Sequence, residues 1–374
     1  MRTVCSLLAT LLVLISDFAS SQNRRFFLEP SLSLKIEYEN QIKIDLEAGS
    51  DHLIQYMSAE NYPMMYARNF RTEVCYDNQC RLLNVNLYWN PTGRYLGFEL
   101  PEREFLSKAE HEKFTMEEYN RLNGILADQF SPLGAIAYEV LVPKRDTLDL
   151  QVDAVTSATA KNLLDYVVEG AAFTTYKMWH FVYGETQKKV IGLTEEKLTS
   201  QLILKLLESP DSNDKIWALN HIEGFVEMTP DLRERLMTLI SGKSYSYAER
   251  AINALNPTEM SRVETQVLLA QSFVNADYSI RKLLISKLMG VALLSNQASD
   301  ILVVNLSTYS GEIIRELLGL LKKNKHYPLT VIKEVAPILK SENSFISKQA
   351  YNFLKNIPIE DPEIKKQVEN YTTQ

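Results

Sequence analysis

The chain has 374 residues, with 40 lysines and arginines against 47 aspartates and glutamates and a formal net charge of −7. A mildly acidic balance argues against nucleic acid and anionic membranes as partners. The length exceeds what one ordinary hydrophobic core fills, so two domains are expected.

The N-terminus carries Arg2, an apolar run from Leu7 to Ile15, and then Ala19-Ser20-Ser21-Gln22. A positive start, a short apolar stretch and small residues at its end describe a signal peptide over residues 1–21, cleaved after Ser21. The alternative is a retained N-terminal anchor, although the apolar run is shorter than the roughly 20 residues a spanning helix needs. No later segment has spanning length, so the mature chain is expected without a transmembrane segment, exported to a periplasmic or extracellular space. Arg2 and Asp17 cancel, so cleavage leaves the net charge unchanged.

Of the three cysteines, Cys5 lies in the leader, which leaves Cys75 and Cys80. They flank the turn-like Tyr76-Asp77-Asn78-Gln79 between two strand-like runs. In an oxidising compartment they read either as a disulfide closing a hairpin or as a free, redox-cycling dithiol. His52 and His111 lie in unrelated contexts, so no metal site is read, and the absence of Cys-x-x-Cys-His gives no support to covalent haem.

Residues 22–190 mix strand and helix signals and are expected to form an α+β domain with antiparallel strands. Leu32 to Ile36 and Ile42 to Ile44 alternate apolar and polar residues, as half-buried strands do. Leu83 to Trp89 continues that period up to the turn cluster Asn90-Pro91-Thr92-Gly93, and Tyr95 to Leu100 reads as the returning strand. Thr72 to Leu100 thus reads as three antiparallel strands with the cysteines at the first turn. Thr115-Met116-Glu117-Glu118 is a capping box that opens a helix through Tyr119, Leu122, Ile125 and Leu126. Pro132 and Gly134 break the chain before a strand-like run from Ile136 to Val142. A helix is predicted from about Lys161 to Tyr183 on the spacing of Leu163, Leu164, Val167, Val168, Ala171, Ala172 and Tyr176. Gly170 sits inside it, and a break into two helices there is the alternative.

From residue 191 to 374 the strand signals disappear. Ile222, Leu255, Leu288, Leu321 and Leu354 stand 33 residues apart, and Ala218, Ala251, Leu284, Leu317 and Ala350 lie four residues upstream of each, on the same helical face. The windows Asp214–Ile222, Tyr247–Leu255, Ile280–Leu288, Ile313–Leu321 and Ile346–Leu354 align without gaps. A constant period in this range marks stacked helix pairs. The windows resemble the second helix of HEAT-type repeats over roughly Thr194 to Pro358, which implies an all-α solenoid of HEAT-like helix pairs; five helix pairs with coincidental spacing are the alternative.

The segment Asp153-Ala154-Val155-Thr156-Ser157-Ala158-Thr159 precedes the Lys161 helix. An acid, small residues and hydroxyls before a helix start suit a phosphate or phosphoester, because free backbone N–H groups and the positive helix end face it. Thr156, Ser157 or Thr159 can equally serve as an ordinary N-cap. The segment resembles the flavinylation motif of FMN-binding domains, as in the C subunit of sodium-translocating NADH:quinone reductase and the Rnf G subunit. Asp153, Thr156, Ala158 and Thr159 match that motif, and Ser157 stands where glycine is usual. The resemblance implies that a flavin transferase, using FAD and magnesium, attaches FMN through its phosphate to Thr159. An isoalloxazine ring also needs an aromatic shelf, for which Trp89, Tyr95, Phe98, Tyr176 and Trp179 are candidates; each is more often core than cofactor box. His180 is tempting as a polar partner for the ring, with helix capping the plainer account.

No Gly-x-Ser-x-Gly, phosphate loop, His-Glu-x-x-His or triad-like histidine occurs. Asn305-Leu306-Ser307 and Asn370-Tyr371-Thr372 are glycosylation sequons. The expectation is therefore an exported FMN-dependent electron-transfer protein that docks a redox or envelope partner through its repeats. The alternative is a cofactor-free interaction or scaffold protein.

Overall fold

The computed structural model describes residues 24–29, 35–46, 49–74, 81–108, 112–138, 164–325 and 327–371. Its contacts fall into two compact units that part between Lys197 and Leu198. The first is α+β, built on an antiparallel sheet, and the second is all-α, built of stacked helix pairs.

Six strands form the sheet: β1 (Arg24–Phe27), β2 (Ile36–Lys43), β3 (His52–Ser58), β4 (Pro63–Thr72), β5 (Leu83–Trp89) and β6 (Tyr95–Leu100). Their order is β1-β6-β5-β4-β3-β2, and every pairing is antiparallel. Of the two short strands expected at Leu32 to Ile36 and Ile42 to Ile44, residues 32–34 lie outside the described residues, and β2 runs without a break from Ile36 through Ile42 to Lys43. The tight return from β5 to β6 is fixed by Asn90, whose side-chain oxygen accepts from the backbone N–H of Thr92 at 3.1 Å and of Arg94 at 2.8 Å. Gly93 supplies the left-handed step at φ +80° that this turn requires.

Helices α1 (Met116–Ala127), α2 (Ala172–Val182) and α3 (Glu185–Glu195) accompany this sheet. The capping box opens α1 as its sequence dictates: Thr115 Oγ1 accepts from the Glu118 N–H, and the Glu118 carboxylate accepts from the Thr115 N–H. Alternation along the strands sends Tyr66, Phe70, Val85, Leu87, Trp89 and Phe98 into one large core with Tyr119, Leu122, Met178 and Val182. Polar ties cross the same layer, from Trp89 Nε1 to the Val182 carbonyl at 2.9 Å and between the Tyr66 and Thr194 hydroxyls at 3.2 Å.

Two expectations are corrected here. Ile136 to Tyr138 is not strand, because Pro132–Ala135 forms a 3₁₀ turn and Tyr138 sits in a further helical turn; residues 139–142 of the expected run lie outside the described residues. Nor, among the described residues, does one helix run to Tyr183; the break at Gly170, the alternative reading, is what occurs. A 3₁₀ turn at Leu164–Tyr166 is followed by Gly170 at φ +71°, a left-handed step that interrupts the α-helix, and α2 begins only at Ala172. The apolar spacing survives because Val167, Val168 and Ala171 are buried on both sides of that break.

The second unit starts with α4 (Ser200–Leu207) and α5 (Ser212–Asn220), followed by α6 (Pro230–Ile240) and α7 (Tyr245–Asn253). The short α8 (Pro257–Met260) leads to α9 (Val263–Asn275) and α10 (Tyr278–Met289). Then come α11 (Asn296–Leu302), α12 (Gly311–Asn324), α13 (Leu329–Val335), α14 (Ser344–Leu354) and α15 (Pro362–Glu369). Helices α5, α7, α10, α12 and α14 begin 33 residues apart, at Ser212, Tyr245, Tyr278, Gly311 and Ser344. Each packs on the next, and α4, α6, α9, α11 and α13 form a second stack alongside. All ten repeat positions identified in the sequence are buried to within 1 %. The residues before the second helices, Asp211, Ser244, Asp277, Ser310 and Asn343, are N-cap types, and all but Asp277 accept a backbone N–H of the first turn. The 33-residue period is therefore physical, with one cap and one buried stripe for each pair.

Candidate functional site

Asp153, Thr156, Ser157, Ala158 and Thr159 lie outside the described residues, as do Cys75, Cys80 and residues 1–21. Their flanks are described, and they meet. Tyr176, on α2, donates its hydroxyl to the Ile136 carbonyl at 2.8 Å. Tyr138, the last described residue before the heptapeptide, lies 5.6 Å from the Phe173 ring and 5.7 Å from the Tyr176 ring. Beyond the heptapeptide, Arg121 of α1 donates to the Val167 and Asp165 carbonyls at 3.1 and 3.4 Å. The strand leading to Cys75 arrives at the same place. Tyr138 donates to the Val74 carbonyl at 3.1 Å, and Lys177 donates to the Glu73 carbonyl at 2.8 Å. The N-terminal half of α2 thus anchors the approaches to both segments that the sequence singles out.

The proposed aromatic shelf divides. Trp89, Tyr95 and Phe98 are buried completely or nearly so, with Tyr95 donating to Asn123 at 2.8 Å and Phe98 stacked 4.8 Å from Phe26. They are core. Trp179 is also committed, donating to the Asp128 carbonyl at 2.9 Å. Tyr176 is buried too, and the half-buried Phe173 and Tyr138 lie beside it. His180 does not cap its helix. Its Nε2 sits 3.1 Å from the Leu133 carbonyl, between Tyr176 and Trp179, and burial lowers its pKa and favours the neutral ring. The described α2 begins at Ala172 and not next to Thr159 in the sequence.

A second site was not read from the sequence. Register aligns Arg25, Glu99, Asn86 and Asn69 in one row across β1, β6, β5 and β4. The adjacent row holds Tyr88, Ala67, Ile54 and Gln41 on β5 to β2. These residues alternate with the core-facing ones, so they occupy the opposite face of the sheet. They line a cavity of about 420 Å³. Glu99 is 3 % exposed and pairs with Arg25. Tyr88, Tyr56 and Glu99 line it together. Burial first, and then the Glu99 charge, raises the Tyr88 pKa, which keeps its hydroxyl a donor. The usable signal was the alternation Asn84, Asn86, Tyr88 within an otherwise apolar strand.

Among the described residues no helix is long and apolar enough to cross a membrane, and no group of three or more His, Cys, Asp or Glu side chains could hold a metal ion. No protein-family model matches the chain, and no curated protein matches it. Among solved structures, the chain is similar to the archaeal HEAT-like repeats protein from Thermococcus onnurineus NA1. Identity is 16 %, with 46 % of this chain and 85 % of that one covered, at a TM-score of 0.29.

Proposed function

We propose that this chain is an exported electron carrier with FMN attached covalently through Thr159. The observation that carries the reading is the match of Asp153, Thr156, Ala158 and Thr159 to the flavinylation motif, in a connector whose flanks are both tied to a polar and aromatic platform. In the attachment step a flavin transferase would join Thr159 Oγ to the phosphorus of the FMN half of FAD. The pyrophosphate bond breaks, AMP leaves, and the hydroxyl proton passes to solvent. The attached group would supply one- or two-electron chemistry.

The described residues suit such a group. Tyr138 and Phe173 offer half-buried aromatic surface, and Lys177 lies 5.5 Å from the Tyr138 ring as a nearby cation. These residues would orient a ring and exclude water from one side. The helical repeats would supply the docking surface for a redox or envelope partner.

The test is co-expression with a flavin transferase, followed by denaturation and measurement of flavin absorbance and in-gel fluorescence. The wild-type chain retains flavin in near 1:1 yield, and Thr159→Ala loses it. Retention by Thr159→Ala sinks the attachment claim. A colourless wild type points instead to a cofactor-free interaction protein.

A further inference from the structure

The sheet face opposite the helices carries a built cavity that the flavin reading does not use. Its wall is one polar row, Arg25–Glu99–Asn86–Asn69, on four adjacent strands. Every group in that row is planar and offers paired donors or acceptors. The Asn69 amide nitrogen donates to Asn86 Oδ1 at 2.9 Å and Asn84 Oδ1 at 3.0 Å. That leaves the Asn86 amide N–H₂ and the Asn69 carbonyl oxygen without a protein partner among the described residues. Beside this row stand Tyr88, Ile54 and Ala67, an aromatic and apolar strip.

We propose that this cavity binds a neutral pyranose sugar, as a mono- or disaccharide. Vicinal hydroxyls present a donor and an acceptor about as far apart as the two ends of an amide, carboxylate or guanidinium, so a row of such groups matches a sugar edge. The C–H face of a pyranose is apolar and packs on an aromatic ring such as Tyr56, the half-buried tyrosine of the lining. Charge selects against the other small ligands. Arg25 is paired with Glu99, and the other arginine of the lining, Arg68, commits its guanidinium to the Ser50 and Leu46 carbonyls and the Thr186 hydroxyl, so neither is free to take an anion, while Glu99, paired with Arg25, offers a cation as little. An added peptide strand would pair with an edge, β1 or β2, and leave this face unused. The volume of about 420 Å³ lies in the range of small-molecule sites, roughly 300–1,000 Å³. Tyr88 stays protonated at neutral pH, because burial and then the Glu99 charge raise its pKa, and so it adds no negative charge to the cavity.

Saturation-transfer NMR and titration calorimetry on the full chain test this, with methyl α-glucoside, galactose, mannose, maltose, cellobiose and N,N′-diacetylchitobiose as probes. At least one binds saturably in the millimolar range or tighter, and Asn86→Ala weakens it at least tenfold. Gln41→Ala, at an exposed lining position, weakens it severalfold and guards against loss of fold in the first variant. Thr159→Ala binds like the wild type, which keeps this proposal separate from flavin attachment. Absence of saturable binding to every probe overturns it. Undiminished binding by both Asn86→Ala and Gln41→Ala does the same, as does tighter binding of glucuronate or glucosamine than of any neutral probe.

Discussion

Arg68 is 2 % exposed and forms no ion pair among the described residues. Its guanidinium is held by three divergent oxygens: the Ser50 carbonyl at 2.9 Å, the Thr186 hydroxyl at 2.6 Å and the Leu46 carbonyl at 3.3 Å. It ties the loop before β3 to α3 through β4. Burial lowers its pKa, yet an arginine stays charged, so those three acceptors carry the whole cost of desolvation. An ammonium cannot reach three such directions from one point. Arg68→Lys is therefore expected to destabilise the fold by about 2 kcal/mol, read as a lower urea midpoint at constant m-value. A midpoint equal to that of the wild type would show that the three bonds contribute nothing. In the sequence Arg68 is one charged residue inside an apolar strand, and nothing local marks it as buried.

At the scale of elements, Glu259 joins two helices of the repeat array. Its carboxylate, at the end of α8, takes two hydrogen bonds from Arg233 of α6, at 2.7 and 3.1 Å, and faces Arg262 at 3.2 Å. Burial alone would raise its pKa, but the Arg233 hydrogen bond and charge outweigh that and hold it below the usual carboxylate value. A depressed folded pKa contributes stability above the unfolded pKa, about 4.3, and loses it as pH falls through the folded value. Glu259→Gln should thus melt below the wild type at pH 7, with the gap closing on acidification towards pH 3. A gap independent of pH would assign the effect to packing. The elements themselves divide in legibility. The capping box of α1 and the Asn90–Gly93 turn were readable because each is decided by contacts within four residues. The helix predicted from Lys161 was misread because Val167, Val168 and Ala171 meet the core in helical spacing whether or not the backbone between them is helical.

At the scale of the molecule, the two units follow different rules. In the repeat array each helix packs on neighbours one to three elements away, so its contacts are near in sequence. Residues 198–374 expressed alone are expected to give a helical far-UV spectrum and a cooperative thermal transition. A non-cooperative, molten melt would show that the array depends on the first unit. In the sheet, β1 pairs with β6, and the core of strands 2 to 6 closes only when α1, α2 and α3 arrive.

The sequence by itself determined the repeat period, its buried stripe and caps, and the antiparallel β5–β6 return. Each is written in residues a few positions apart or at one constant spacing. Tertiary structure alone decided which aromatics are core, since Trp89, Tyr95 and Phe98 carry no local mark of the helices that cover them. It alone brought the approaches to Cys75 and to the heptapeptide onto α2, and it alone set Arg25 beside Glu99, Asn86 and Asn69. Those arrangements depend on strand order and register, which are fixed by the sum of long-range packing and not by any single stretch of chain.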